Sequence, residues 1–127
     1  MAQVVQLIII YMEKSKKKVD TEGTILAIAT YKAKPGKEQA LLELVQQHLP
    51  ALRELDLATD RSNYIAQSKD GTIIEIFEWT SLNAINAAHQ HPAVSNIWEK
   101  MTMIADFVPM TSLEEGNRPF PSFKIIT

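Results

Sequence analysis

The sequence predicts an α+β fold, an antiparallel sheet with helices packed on one face. Two observations carry this. Apolar residues switch from a strand period to a helical one and back along the chain. The resulting order is strand, helix, strand, strand, helix, strand: two β-α-β halves joined by a hairpin. That order is the ferredoxin-like arrangement. One domain fits the length of 127 residues, and a chain of this size buries about two thirds of its unfolded surface.

The first core strand is expected from Thr24 to Tyr31, after a turn at Glu22-Gly23. Leu26 and Ile28 share one face, and Ile25, Ala27, Ala29 and Tyr31 the other. A strand with one wet face alternates apolar and polar, so this strand should be covered on both sides. Lys34-Pro35-Gly36-Lys37 ends it and opens a helix. Leu41, Leu44, Val45, His48, Leu52 and Leu55 fall on one helical stripe. Pro50 should kink this helix or restart it.

Asp60-Arg61 reads as a turn and Ser62 to Ser68 as the second strand. Lys69-Asp70-Gly71 carries an Asp-Gly hairpin signal, and Thr72 to Trp79 follows as the third strand. Ile73, Glu75, Phe77 and Trp79 share one of its faces. Thr80-Ser81 can cap a short helix from Leu82 to His89. His91-Pro92 starts another, with Val94, Ile97, Trp98 and Met101 on one stripe. Ile104 to Met110 reads as the fourth strand, its end confined to an edge or bulge by Pro109. Residues 114–127 form a C-terminal arm, with Phe120 to Ile126 expected to dock or to add a last strand. Helices cover only one face of such a sheet. A second copy is the economical cover for the other, so a homodimer is expected.

Residues 1–22 form an N-terminal extension before the domain at 23–113. Val4 to Met12 is the most apolar stretch, too short to span a bilayer as a helix, which takes about 20 residues. Lysines follow it rather than precede it, unlike a secretory signal. The segment is expected to add a strand beyond the core fold, and the chain to be cytoplasmic without membrane attachment. With 13 basic and 15 acidic residues, no electrostatic grip on nucleic acid is expected. With no cysteine, thiolate chemistry and cysteine-based metal sites are excluded.

Thr24 to about Leu113 resembles the antibiotic biosynthesis monooxygenase superfamily, whose fold is the dimeric α+β barrel. The marks are the first strand running into Lys34-Pro35-Gly36-Lys37-Glu38, and Glu78-Trp79-Thr80-Ser81-Leu82-Asn83-Ala84 running on into Ala88-His89-Gln90-His91-Pro92. The resemblance implies a cofactor-independent monooxygenase acting on a small aromatic or quinol-like substrate. The alternative is a non-catalytic ligand-binding or structural member of the fold. In the haem-degrading branch, the required Asn, Trp and His would fall near Ala29, Ala88 and Trp98. None of these keeps the needed side chain, and neither alanine nor an indole N–H can ligate iron.

Such chemistry needs an apolar cavity, donors for a substrate anion and a base. Ala27 and Ala29 leave space on one strand face. His89 and His91 are the first candidate bases, because neutral imidazole accepts protons near pH 7. Their structural readings are a helix end for His89 and a helix cap for His91. A metal site is not expected, since two histidines at i, i+2 diverge on a helix. Glu75, if its face is dry, suits acid–base work; alternatively Arg61 pairs with it. Tyr31, Asn63, Tyr64, Trp79 and Trp98 are candidate substrate contacts. His48, on the apolar stripe, reads as a core histidine.

Overall fold

The computed structural model describes residues 23–127. Residues 1–22, with the strand expected at Val4 to Met12, lie outside the described part. The order is β1 (Ile25–Ala33), α1 (Glu38–Glu54), β2 (Tyr64–Gln67), β3 (Ile73–Trp79), α2 (Leu82–Gln90), α3 (Pro92–Ile104), β4 (Ala105–Phe107) and β5 (Lys124–Ile125). Two short 3₁₀ turns, Met110–Ser112 and Glu115–Asn117, separate β4 from β5. The protein is therefore α+β, with three α-helices and a five-stranded sheet among the described residues. The strands are antiparallel, in the order β4-β1-β3-β2-β5. The first four positions are consistent with the ferredoxin-like arrangement, and β5 extends the edge beside β2.

Period-two alternation sets the two faces of the sheet. Ala27, Ala29 and Tyr31 of β1 oppose Phe77, Glu75 and Ile73 of β3. These residues join Leu41, Val45, Leu49 and Leu52 of α1 and Val94, Trp98 and Met101 of α3 in the main core. α1 runs through Pro50 as one helix and does not restart there. Pro50 is exposed, as are Gln46 and Gln47, so water can take the carbonyl that the proline leaves without a donor.

The break between α2 and α3 falls at His91, which is extended (φ −93°, ψ 120°) and ends one helix while starting the next. A residue before proline is pushed out of the helical region, so Pro92 forces the corner. Ser81 caps α2 by accepting from the Ala84 N–H at 3.0 Å. At the hairpin between β2 and β3, Gly71 takes φ +94°, the conformation that glycine adopts at no steric cost.

The far face of the sheet is only partly covered by this chain. Met110 and Leu113, with Phe123 of the C-terminal arm, pack over Ala66, Ile74 and Ile76. Ile28, Ile76 and Tyr64 lie directly across β1, β3 and β2 in one row. Within that row and beside it, Ile28 is 52% exposed, Tyr64 48% and Leu26 67%. The expected cover on both sides of β1 is thus met on the helix side alone. β4 is shorter than its sequence suggests, because the chain leaves the sheet after Phe107 and turns through Pro109 into the first 3₁₀ turn.

Candidate functional site

An apolar cavity of about 430 Å³ opens along β1. Ala27 and Ala29 of β1 line it, with Phe77 and Trp79 of β3, Ile85 of α2 and Phe107 at the end of β4. The two alanines make the space, as their size suggests: a longer side chain there would fill it. Phe77 and Trp79 pack edge to face with ring centroids 5.1 Å apart, and Tyr31 and Phe107 do so at 5.4 Å. The lining has two hydroxyl side chains, Thr30 and Tyr31. Both hydroxyls are engaged, Thr30 donating to the Val108 carbonyl and Tyr31 to Glu75.

Behind Tyr31 lies a chain of buried polar groups. Glu75 is completely buried and points toward the helices from the middle of β3. Its Oε1 accepts from the Tyr31 hydroxyl at 2.8 Å. His48 Nδ1 stands 2.9 Å from Oε1 and 3.1 Å from Oε2. On the far side of the imidazole, Trp98 Nε1 donates to His48 Nε2 at 2.9 Å. An indole N–H can only donate, so Nε2 is the acceptor and the ring hydrogen sits on Nδ1, aimed at Glu75. Every polar atom of these four side chains then has a partner, the condition under which a buried network is tolerated. Burial, reinforced by the adjacent Glu75 charge, raises the Tyr31 pKa well above the ordinary phenol value.

The structure distributes the candidate residues unevenly. Tyr31 and Trp79 line the cavity. Glu75 and Trp98 belong to the polar chain behind it. The partner of Glu75 is His48 rather than Arg61, which instead pairs with Glu78 at 3.0 Å. His91 is a cap: its Nδ1 accepts from the Ala93 N–H at 3.2 Å. His89 is half-buried at the end of α2, with its ring edge-on to Trp98 at 5.0 Å. Its Nε2 is buried with no partner among the described residues, and burial lowers its pKa, which favours neutral imidazole. Neither histidine lines the cavity. Asn63 and Tyr64 also lie away from it, Tyr64 on the far face of the sheet.

His48 is the member that sequence reading assigned only to the core. Its signal was its place on the apolar stripe of α1, four residues before Leu52 and three after Val45, facing a strand that carries an inward glutamate. Among the described residues there is no cluster of three or more metal-ligating side chains. No described helix is long and apolar enough to cross a membrane. Sequence comparison with known protein families and with curated proteins finds no match.

Proposed function

We propose that this chain binds a small aromatic or quinol-like molecule in the cavity along β1 and oxygenates it without a cofactor. The observation that carries the reading is the placement of Tyr31, which lines an otherwise apolar cavity while its hydroxyl is bonded to buried Glu75. The cavity volume lies within the range of sites for small ligands, about 300–1,000 Å³. The resemblance of Thr24 to Leu113 to the antibiotic biosynthesis monooxygenase superfamily supports the same chemistry.

In this reading, the substrate gives a proton to the Tyr31 oxygen as the Tyr31 proton moves to Glu75. The phenol then never ionises, as its raised pKa requires. His48 holds Glu75 in place through Nδ1–H. The substrate carbanion reduces dioxygen. A CH₂ carbon loses both hydrogens and gains one oxygen atom, and the other oxygen leaves as water with those hydrogens. The two electron pairs come from the substrate, so no further reductant is needed.

The test is oxygen uptake with a panel of hydroxyanthrones and quinols, with binding followed by quenching of Trp79. Tyr31→Phe is expected to lower turnover by about 10²–10⁴-fold while binding is kept, the usual range for losing a proton-transfer group. His89→Ala is expected to keep activity. Ala29→Phe, which fills the cavity, is expected to abolish binding. No binding and no turnover across the panel would overturn the proposal. A second reading, ligand binding without catalysis, is favoured by one observation: neither His89 nor His91 lines the cavity. Ligand binding without oxygen uptake, unchanged in Tyr31→Phe, would select it.

The functional unit in this proposal is a homodimer, in which a second copy covers the row of Ile28, Ile76 and Tyr64 to complete a dimeric α+β barrel. Patches of this kind on a sheet commonly mark interfaces. Ile28→Lys is expected to give a monomer by analytical ultracentrifugation at micromolar concentration, where the wild type is a dimer. A monomeric wild type would refute the dimer.

A further inference from the structure

Tyr31, Phe77, Trp79 and Phe107 line the cavity along β1 with aromatic rings. The rings stand in two edge-to-face pairs. Their planes are inclined by 66° for Tyr31 and Phe107 and by 61° for Phe77 and Trp79, so each pair makes a corner. The face of an aromatic ring is negative and its edge positive, and a cation is drawn to the face. A buried carboxylate stands behind the same wall. Glu75 lies directly across the β1–β3 pairing from Ala29, and Phe77 follows it on the same strand face. Side chains opposite one another on a sheet have β-carbons about 5 Å apart, so Glu75 is rooted beside an alanine of the lining. Tyr31, also in the lining, donates its hydroxyl to Glu75 Oε1 at 2.8 Å.

The two described partners of this carboxylate are neutral. His48 Nε2 accepts the Trp98 N–H, so the ring carries its one hydrogen on Nδ1 and is a neutral imidazole. The Tyr31 hydroxyl is neutral as well, and neither donor cancels the Glu75 charge. Burial first, and then that charge, hold the Tyr31 phenol well above its ordinary pKa, so the charge is felt at the cavity wall. Charges act over longer distances in a buried, low-dielectric setting than in water.

We propose that the cavity along β1 takes an organic cation, a small aromatic molecule bearing a quaternary ammonium, with the ammonium against the four rings on the side of Glu75. The rings and the carboxylate attract the same sign of charge, and an anionic ligand would meet repulsion from both. A primary ammonium brings three N–H donors that each need an acceptor. A quaternary one brings none, which suits an apolar lining whose two hydroxyls are already engaged. The inference rests on the cavity being the ligand site and names the charge of its ligand; it does not depend on oxygenation.

The test compares phenyltrimethylammonium with tert-butylbenzene, which has the same shape and no charge. Binding is followed by NMR titration of the full chain at the Ala27 and Ala29 amides. Wild type is expected to bind the cation about tenfold more tightly than the neutral isostere, within the range of a desolvated cation–π contact. Glu75→Gln keeps an acceptor for the Tyr31 hydroxyl, removes the charge and is expected to lose most of that preference. Phe107→Leu is expected to weaken binding of the cation about fivefold and to leave that of tert-butylbenzene unchanged. Equal or tighter binding of tert-butylbenzene by wild type would overturn the proposal and leave the cavity standing as a ligand site. A preference undiminished in both variants would overturn it too, because the ammonium would then lie away from the rings and the carboxylate. Should Glu75→Gln not fold, the wild-type comparison and Phe107→Leu decide. Quinols that shift Ala27 and Ala29 while phenyltrimethylammonium does not defeat only the cation. No shift with any of these ligands defeats the cation and the ligand reading together.

Discussion

Replacing His48 with leucine is expected to lower the unfolding free energy by about 3 kcal/mol, because it takes a hydrogen-bond partner from a buried carboxylate and from a buried indole N–H at once. The substitution keeps an apolar side chain of similar size in the α1 stripe, so packing changes little. It leaves the Glu75 carboxylate, completely buried, with the Tyr31 hydroxyl as its remaining bond. It also leaves the Trp98 N–H without its acceptor. The double variant His48→Leu/Glu75→Leu removes the stranded acceptor as well and is expected to be no less stable than His48→Leu alone. Urea unfolding followed by tryptophan fluorescence measures all of the proteins needed, including Glu75→Leu. Simple additivity of the two single changes would show that the pair is not coupled and would sink this account of the core.

Gly116→Ala is expected to undock the C-terminal arm. A β-carbon at residue 116 would stand 2.0 Å from the Met110 carbonyl oxygen and 2.8 Å from its carbon. These are backbone atoms, so one 3₁₀ turn must move off the other. The arm is held from both sides of this point. Leu113 is buried against Ala66 and Ile74, and buried Glu115 accepts from the Lys69 N–H at 2.9 Å. Overpacking of this kind costs about 1–3 kcal/mol. The expected signs are a lower urea midpoint and fast proteolytic cleavage between Met110 and Phe123. An alanine variant as stable and as resistant as wild type would show that the arm has another way to sit.

Much of the architecture was legible because the apolar pattern was strong. The inward run Ala27, Ala29 and Tyr31 and the α1 stripe could be read off directly, and burial follows them. The alanines also marked where space would open. The site was harder. Glu75 and His48 are 27 residues apart, and Tyr31 and Glu75 are 44 apart. No local spacing signals such contacts, which exist only through the register of β1 on β3 and the seating of α1. Arg61 was the natural guess for Glu75 because it is a cation, but it belongs to the outward face with Glu78. His89 and His91 drew notice as a close pair, yet Pro92 turns the chain between their helices and sets His91 to capping.

β3 is apolar on both of its faces, with Ile73 and Phe77 inward and Ile74 and Ile76 outward. A slip of one residue would exchange these sets, and hydrophobic burial alone would resist it only weakly. Glu75 breaks that symmetry. In the native register its carboxylate meets two donors; one residue out of step, it would leave them for the opposite face, and Ile74 or Ile76 would be set against the His48 ring and the Tyr31 hydroxyl. The buried acid therefore encodes strand alignment during folding. Its removal should leave a chain that still collapses but chooses less sharply between alternative pairings of its central strand.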